Sequence, residues 1–324
     1  MTDTAHALVY VAPGRAEIRP VGLAPMDADT VEIETAASLV SRGTERLVFE
    51  GRVPASEHAR MRAPLQSGDF PFPVAYGYAA AGRATAGPDD LVGRDVFALA
   101  PHQTRLRVPR AMARPLPEGL FPERAVLGAN METALNALWD GAPRPGSKVL
   151  VVGLGLVGLL ILHLLARRGD LDVTGSDLLP ERRALAEGFG ARFAAPDALG
   201  ADHDLAFHAS ASAAGLAASL DALAFEGTLV ELSWFGEGAV AVPLGGAFHS
   251  RRLTIRSSQV GHVAPARRAA LSLADRLDRA LALCADSRLD ALVTEAIAFA
   301  DAPAALPRLL GRDAPGIATR LVYR

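Results

Sequence analysis

The sequence predicts an α/β protein in which a doubly wound parallel sheet follows a β-rich module at the N-terminus. Short strand candidates, separated by glycine and proline, fill residues 1 to about 117. From residue 149 onward, short apolar strands alternate with helices, and this order is typical of a parallel sheet with helices on both faces. A glycine-rich turn joins the first of these strands to its helix.

The N-terminal module is expected to consist of short strands bounded by turn residues. The candidates are residues 7–11, 30–35, 78–85, 95–98 and 104–108. A helix is then expected over residues 125–139, because apolar side chains recur there at helical spacing. They are Leu127, Met131, Leu135 and Leu138.

The alternating part begins at residues 149–152, whose continuous aliphatic run is typical of a strand buried on both faces. Further strands are expected at residues 172–176, 205–209, 228–233 and 253–257, and helices at 156–168, 180–189 and 213–225. After Val260 the pattern predicts a long helix, an extended piece, a short helix and a last strand, at residues 265–285, 293–299, 303–310 and 318–322.

The segment Lys148–Gly158 reads KVLVVGLGLVG, with glycines in the G-x-G-x-x-G spacing. The first glycine of this pattern permits a tight turn, the second lets a diphosphate approach the backbone, and the third lets helix and strand pack closely. The helix N-terminus then faces the phosphates. The pattern, set between a strand and a helix, predicts a dinucleotide site. The alternative is a glycine-rich turn that binds nothing.

Asp177 lies 24 residues after Gly153, at the end of the second strand of the alternating part. A carboxylate at this place accepts hydrogen bonds from the adenosine ribose of NAD. Arg182 and Arg183 follow closely and would attract the 2′-phosphate of NADP, but Asp177 would repel it. NAD is therefore the expected cofactor, with NADP as the alternative.

The residues expected to contact the dinucleotide lie mostly in and around the glycine turn. They are Gly153, Leu154, Gly155, Leu156, Val157, Gly158, Asp177, Arg182, Ser210, Thr133 and Ser258.

Composition excludes several classes of function. The 324 residues carry a net charge of −3, so no strong attraction to nucleic acid or to an anionic membrane is expected. Cys284 is the one cysteine, which rules out an internal disulfide and a zinc site with several thiolates, and its helical context predicts a buried structural residue. No signal peptide is evident, so a cytoplasmic location is expected.

The order of these parts resembles the medium-chain dehydrogenase/reductase superfamily, which includes the zinc alcohol dehydrogenases. The resemblance covers essentially the whole chain. Its specific pieces are Ser41–Glu45 (SRGTE), Gly77 and Tyr78 with Gly82, the glycine turn with Asp177, residues 256–261 (RSSQVG) and residues 316–322. The SRGTE segment also resembles the bacteriochlorophyllide dehydrogenases of this superfamily.

The resemblance implies three parts. They are a GroES-like catalytic domain at residues 1–125, a Rossmann NAD-binding domain at residues 126–264, and a C-terminal return to the catalytic domain at residues 265–324. It also implies a small-molecule substrate and a homodimer formed through the edge of the nucleotide-binding sheet.

The chain departs from the family at the catalytic metal. Zinc members hold it with a Cys, with the His of a Gly-His-Glu motif, and with a later Cys, His or Glu. Here the first place is Ser41 or Arg42, the second reads Gly77-Tyr78-Ala79, and the third falls near Ala129. The four-cysteine structural lobe is also missing, so no metal site and no zinc are expected.

Without zinc, a proton donor must act on the substrate oxygen. Tyr78 stands where the family has its histidine ligand, so it is either that donor or an aromatic filler of the vacated site. Thr44 matches the family's proton-relaying hydroxyl, with a helix cap as the alternative. His102 is either an acid or base in the site or a solvated loop residue.

Three further residues carry a structural alternative. Glu45 stands where the family often has Asp, and a role in holding the loop, through an arginine, is favoured over acid–base chemistry. Glu132 and Asn136 lie one helical turn apart, where one of them would point toward nicotinamide or substrate, or both would be solvated on the helix surface.

These expectations describe a zinc-independent oxidoreductase that transfers hydride between NAD(H) and a secondary alcohol or ketone. The first rival is an enoyl or quinone reductase that uses NAD(P)H. The second is a non-catalytic dinucleotide-binding protein.

Overall fold

The computed structural model describes residues 3–323, and the chain forms two compact units. The first unit holds the chain up to Ala129 together with Leu281 onward, and the second holds Asn130–Ala280. The chain thus changes unit after Ala129 and Ala280, whereas the sequence placed these limits at residues 125 and 264.

The strands, in chain order, are β1 (Thr4–Ala12), β2 (Arg15–Gly22), β3 (Thr30–Val40), β4 (Ser67–Gly68), β5 (Val74–Ala75), β6 (Ala80–Ala86), β7 (Asp95–Ala98), β8 (Arg105–Pro109), β9 (Arg114–Pro115), β10 (Lys148–Val152), β11 (Asp172–Ser176), β12 (Arg192–Ala194), β13 (His203–His208), β14 (Leu223–Glu231), β15 (Thr254–Ser257), β16 (Val293–Ala298) and β17 (Ala318–Val322).

The α-helices are α1 (Arg42–Phe49), α2 (Pro122–Ala125), α3 (Gly128–Gly141), α4 (Leu156–Ala166), α5 (Arg182–Gly188), α6 (Ala213–Asp221), α7 (Leu273–Leu283) and α8 (Ala302–Leu309). Short 3₁₀ turns occur at Ala55–Glu57, Arg110–Met112, Pro196–Ala198, Ser287–Leu292 and Phe299–Asp301, and an irregular helical segment at Leu244–Phe248. Within residues 3–323, no helix combines the length and the apolar character that a membrane crossing needs.

The first unit is built on two sheets. One has the strand order β2-β1-β5-β4, and the other has the order β16-β17-β3-β6-β7-β9, with β8 paired to β3. The last strand, β17, lies antiparallel to β3, so the end of the chain completes a sheet of the N-terminal module. Its core includes Val31, Ile33, Val96 and Leu106, all at most 3% exposed.

The second unit is a six-stranded parallel sheet with the order β12-β11-β10-β13-β14-β15. Counted within the unit this is 3-2-1-4-5-6, the order of dinucleotide-binding doubly wound sheets, in which ligands bind where the order reverses. That point lies between β10 and β13. The predicted doubly wound sheet and β-rich module are confirmed.

The largest differences between predicted and observed helix lengths concern residues 265–285 and 213–225. The helix expected at residues 265–285 spans only Leu273–Leu283, because a capping box precedes it. In that box the Ser272 hydroxyl accepts the Asp275 amide at 3.1 Å, and the Asp275 carboxylate accepts the Ser272 amide at 2.8 Å. The helix expected at 213–225 ends at Asp221, because Leu223 opens β14 beside His203.

Strand β2 was not predicted. Ala16 and Ile18 alternate with the charged Arg15, Glu17 and Arg19 in this strand, which forms a hairpin with β1. Gly14 makes this turn with φ of +71°, a conformation that favours glycine.

Candidate functional site

The glycine turn of the second unit is sterically specified. Gly153 ends β10 with φ of +93°, and a Cβ there would lie 2.6 Å from the Cα of Ser210. A Cβ on Gly158 would overlap the carbonyl oxygen of Gly153. In contrast, a Cβ on Gly155 would meet nothing within 4 Å. Close packing therefore requires glycine at Gly153 and Gly158, whereas Gly155 leaves open space beside the turn.

Helix α4 begins just after this open space. Gly155 is its N-cap and has no side chain that caps the helix. The first-turn amides, beginning with Leu156 and Val157, therefore retain the capacity to bind an anion. The Leu154 amide is already used, because it donates to Asp177 Oδ2 at 2.6 Å.

The Asp177 carboxylate is held beside the turn by two backbone amides. Oδ2 accepts from Leu154, and Oδ1 accepts from Leu179 at 2.9 Å. A carboxylate oxygen accepts two hydrogen bonds, so each oxygen can still receive one from a sugar hydroxyl. The predicted ribose-binding residue is thus fixed in one orientation.

Of the two arginines that follow, Arg182 opens α5 and Arg183 is engaged along that helix. The Arg183 guanidinium lies 4.6 Å from the centre of the Phe193 ring and 3.4 Å from Glu187 Oε1.

The remaining predicted dinucleotide contacts lie at separate places in the second unit. Thr133 lies on α3 and is half-buried. The Ser258 hydroxyl donates to Asp140 Oδ2 at 2.7 Å, and Ser210 Oγ lies 2.6 Å from His208 Nε2.

In the first unit, the Glu45 carboxylate is fully buried and hydrogen-bonded on both oxygens. Oε1 accepts the Ser41 amide at 2.6 Å, and Oε2 accepts the Tyr10 hydroxyl at 2.7 Å. His102 Nε2 lies 3.0 Å from the same Oε2. These donors compensate the cost of burying a carboxylate. The structural role predicted for Glu45 depends on a tyrosine and a histidine, and the expected arginine is not its partner.

His102 is fully buried, so the interpretation as a solvated loop residue is wrong. A carboxylate only accepts hydrogen bonds, which assigns a proton to His102 Nε2. Nδ1 lies 2.7 Å from Ser38 Oγ, which lies 2.8 Å from the Tyr323 hydroxyl. A Cβ on Gly77 would lie 2.9 Å from the His102 ring, so this glycine makes room for the histidine.

Tyr78 lies against the N-terminal turn of α1. The side chains of Ser41 and Thr44 lie near its hydroxyl, and each lowers the pKa of the phenol. Burial and the nearby Glu45 charge raise the pKa of Tyr78 to about 12, so its phenol keeps its proton at neutral pH. The N-cap of α1 is Ser41, and Thr44 lies inside the helix, so the capping alternative for Thr44 is wrong.

The structure therefore places Glu45 near Tyr78, Thr44 and His102, the three residues expected to handle a proton. Thr44 lies near the Tyr78 hydroxyl, Thr44 and Glu45 are neighbours on α1, and Glu45 contacts His102.

The residues at the family's metal positions do not fit zinc. The first position is Ser41 or Arg42, and Arg42 donates to the carbonyl oxygens of Ala314 and Gly316. The second is Tyr78, whose phenol is protonated, and the Ala129 side chain has no donor atom. Among residues 3–323, no group of three His, Cys, Asp or Glu side chains is arranged to hold a metal ion.

Glu132 and Asn136 are not solvated on the helix surface, so that alternative from the sequence is wrong. Both are buried, and Arg276 of α7 donates to Glu132 Oε1 at 3.0 Å and to Asn136 Oδ1 at 2.7 Å. Sequence reasoning missed Arg276, although an arginine beside Leu277 and Ala280 on the apolar face of α7 signals a buried partner.

Cys284 is buried as predicted, and burial raises the pKa of its thiol to about 12. A thiol of this kind is protonated at neutral pH and is a poor nucleophile.

The four tyrosines of the chain all lie in the first unit, and burial raises the pKa of each one above its usual value. An unfolded chain releases these protons near pH 10 and the folded chain releases them only at higher pH. Stability is therefore complete below about pH 10 and falls above it, by about 1.4 kcal/mol per pH unit for each tyrosine.

We expect tyrosinate absorbance to stay flat through pH 10 and then to rise as the first unit unfolds. The same titration in denaturant is the control and should show a midpoint near pH 10. A gradual rise at pH 10 with intact circular dichroism would contradict the burial of these phenols.

No family model matches the chain. Among curated proteins, it is 28% identical over 186 residues to the uncharacterized zinc-type alcohol dehydrogenase-like protein YphC of Escherichia coli, covering 53% of this chain and 50% of that protein. It is 28% identical over 139 residues to (R,R)-butanediol dehydrogenase of Bacillus subtilis, covering 40% of each chain. The matched region thus spans half or less of these relatives.

Solved structures are similar over nearly the whole chain. A protein named as a zinc-binding dehydrogenase of Sinorhizobium meliloti 1021, bound to NADP, has a TM-score of 0.77 at 18% identity, covering 99% of this chain and 100% of that one. An alcohol dehydrogenase of E. coli CFT073, complexed with NADH, has a TM-score of 0.76 at 16% identity, covering 99% of this chain and 100% of that one. The fold is that of the zinc-type medium-chain dehydrogenases.

Proposed function

We propose that this protein is an NAD(H)-dependent oxidoreductase that interconverts a secondary alcohol and a ketone. The observation that carries the proposal is the glycine turn with Asp177 fixed beside it. The relatives support it, because one is a butanediol dehydrogenase and two structural neighbours hold NADH or NADP. The proposal includes membership of the medium-chain superfamily.

The orientation of Asp177 favours NAD over NADP. Its carboxylate is held toward the glycine turn, where it would accept hydrogen bonds from ribose hydroxyls and repel a 2′-phosphate. Arg183, which would favour the phosphate, is already engaged by Phe193 and Glu187.

We assign proton transfer to Tyr78, with Thr44 as its hydrogen-bond partner. When bound, the nicotinamide supplies or accepts the hydride. The Tyr78 phenol is protonated at neutral pH and is more acidic than an alcohol, so it can donate to a carbonyl oxygen that is becoming an alkoxide. Glu45 and His102 hold the loop that carries these groups.

The proposed reaction needs no zinc, since the residues at the metal positions are a serine or an arginine, a tyrosine and an alanine. Stoichiometric zinc in the purified protein would overturn this part of the proposal.

A homodimer is proposed through β15. This strand is at the edge of the six-stranded sheet, and all four of its residues are exposed, including Ile255. An unpaired edge can pair with the same edge of a second copy. A monomeric mass in light scattering would contradict this.

Replacing Asp177 by serine should weaken NADH binding about ten- to a hundredfold, because hydrogen bonds to a charged group are lost. NADPH binding should fall less or improve, because the negative charge is gone. Fluorescence titration with both coenzymes measures this. Asp197→Ser, at an exposed position of the same unit, is the control. Equal NADH affinity in the wild type and Asp177→Ser would refute the assignment.

Tyr78→Phe should lower kcat about 100- to 10,000-fold while coenzyme affinity stays unchanged, because only the proton donor is removed. A panel of secondary alcohols, ketones and enones identifies the reaction to be measured. Tyr76→Phe is the matched control, since its buried ring lies 6.0 Å from that of Tyr78. Equal rates in both variants would remove Tyr78 from the mechanism, and turnover of enones alone would favour a reductase.

A further inference from the structure

The ends of two neighbouring strands in the second unit carry a buried histidine and a glutamate. His208 ends β13 and Glu231 ends β14, and the parallel register places them side by side. His208 is fully buried, and its Nδ1 lies 2.6 Å from Glu231 Oε2. The other carboxylate oxygen accepts the Ser233 amide at 2.7 Å. Neither residue has a role in the function proposed above.

The direction of each hydrogen bond follows from the carboxylate. Because Glu231 only accepts, His208 Nδ1 carries a proton, and in the neutral ring Nε2 must accept. Its donor is the Ser210 hydroxyl at 2.6 Å. Ser210 Oγ in turn accepts from the Ser212 hydroxyl at 2.9 Å, and Ser212 Oγ accepts the Gly215 amide at 3.0 Å.

These five residues form a continuous chain of hydrogen bonds, here called the Ser210 relay. It runs from the Gly215 amide, at the start of α6, to the Glu231 carboxylate. Gly215 lacks the side chain that would obstruct it, since a Cβ there would lie 2.9 Å from Ser212 Oγ. The Phe235 ring lies beside the His208 ring, with 6.4 Å between the ring centres and 24° between their planes.

The relay determines whether Ser210 can donate or accept a hydrogen bond with a ligand. Its one hydroxyl proton is given to His208, and one lone pair is taken by Ser212, so one lone pair remains. Ser210 is half-buried and lies directly against the glycine turn, at the point between β10 and β13 where the strand order reverses. It can therefore accept a hydrogen bond from a ligand hydroxyl, but it has no proton to give to a phosphate.

We propose that Ser210 accepts a hydrogen bond from a ribose hydroxyl of the bound dinucleotide, and that His208 and Glu231 are positioning residues that hold it as an acceptor. This inference rests on the proposed function. It names a specific role for a histidine–glutamate pair that does not touch the ligand.

The substitution Glu231→Gln tests the direction of the hydrogen bonds in the relay, because it replaces a carboxylate by an amide of almost the same shape. The glutamine oxygen remains facing the Ser233 amide, so its NH₂ group faces His208 Nδ1 and forces the ring proton onto Nε2. Nε2 then donates to Ser210, and the Ser210 hydroxyl proton turns to Ser212 or to the ligand, so Ser210 is no longer held as an acceptor. We expect NADH affinity to fall about five- to tenfold, and Ser210→Ala to cause a similar loss.

The double variant Glu231→Gln/Ser210→Ala distinguishes positioning from a general structural effect. If Glu231 acts through Ser210, the double variant should bind NADH no more weakly than Ser210→Ala alone. Glu226→Gln is the control, because Glu226 lies on the same strand but is exposed and paired with Arg252. Thermal midpoints close to wild type for all variants show that the second unit is folded.

The outcomes separate the two proposals. Absence of coenzyme binding in the wild type would refute the proposed function, and this inference with it. Normal binding by the wild type and Glu231→Gln, or additive losses in the double variant, would refute only the inference. If a variant unfolds, His208→Gln takes its place, because the glutamine amide can donate to Glu231 or accept from Ser210. The His208→Gln protein should then bind NADH more tightly than the His208→Leu protein.

Discussion

Replacing Arg276 by methionine is expected to destabilise the second unit by about 3–5 kcal/mol, the usual cost of breaking a buried ion pair from one side. Arg276 is 1% exposed and donates to Glu132, Asn136 and the carbonyl oxygens of Val260 and His262. Methionine fills similar space but leaves the Glu132 carboxylate buried without its partner.

Burial already raises the pKa of Glu132, and Arg276 is the charge that opposes this effect. Without the arginine, Glu132 should take up a proton, so part of the lost stability should return at acidic pH. The sign follows because the folded variant then binds a proton that the unfolded chain releases at lower pH.

The measurement is denaturant unfolding followed by tryptophan fluorescence. Both tryptophans, Trp139 and Trp234, lie in the second unit, so the signal reports on that unit alone. Arg279→Met, at an exposed position of the same helix, should cost less than about 0.5 kcal/mol. If Arg276→Met lowers the free energy of unfolding no more than Arg279→Met does, the buried ion pair contributes nothing to stability.

A double variant, in which both partners of the ion pair are replaced, makes this test of the buried pair stricter. Arg276→Met combined with Glu132→Leu removes both charges, and buried pairs replaced by apolar groups are often neutral in stability. The double variant should therefore recover most of the loss.

Replacing Gly158 by alanine is expected to cost about 3 kcal/mol and to abolish coenzyme binding. The new methyl group would overlap the Gly153 carbonyl oxygen, and the clash is between two backbones that cannot rotate away. Helix α4 and strand β10 would have to separate. This separation would move the glycine turn, which we propose as the binding site of the diphosphate.

Two other glycines separate stability from binding. Gly155→Ala meets no protein atom within 4 Å, so stability should stay within about 0.5 kcal/mol while coenzyme affinity falls, because the methyl group enters the space for the diphosphate. Gly188→Ala, in open space on α5, should stabilise by about 0.5–1 kcal/mol and leave binding unchanged.

Thermal unfolding and NADH titration of the three variants measure both effects. Wild-type stability in Gly158→Ala would contradict the packing of helix and strand described above. Full affinity in Gly155→Ala would contradict the diphosphate site, even if the fold is correct.

The local features of this protein were determined by the sequence itself. The buried strand Lys148–Val152, the glycine turn and the exact limits of Ala318–Val322 depend on residues that are adjacent in the chain, so apolar runs and glycine spacing are sufficient to predict them. The start of α7 was also readable, since the Ser272–Asp275 capping box is local, but the predicted helix began too early.

Only the tertiary structure decided which buried polar groups meet. His102 and Glu45 are 57 positions apart, and Arg276 and Glu132 are 144 apart. His208 meets Glu231 only because two parallel strands pair in one register. A buried charge must find a partner, but the sequence does not say which one, since that depends on distant segments packing together.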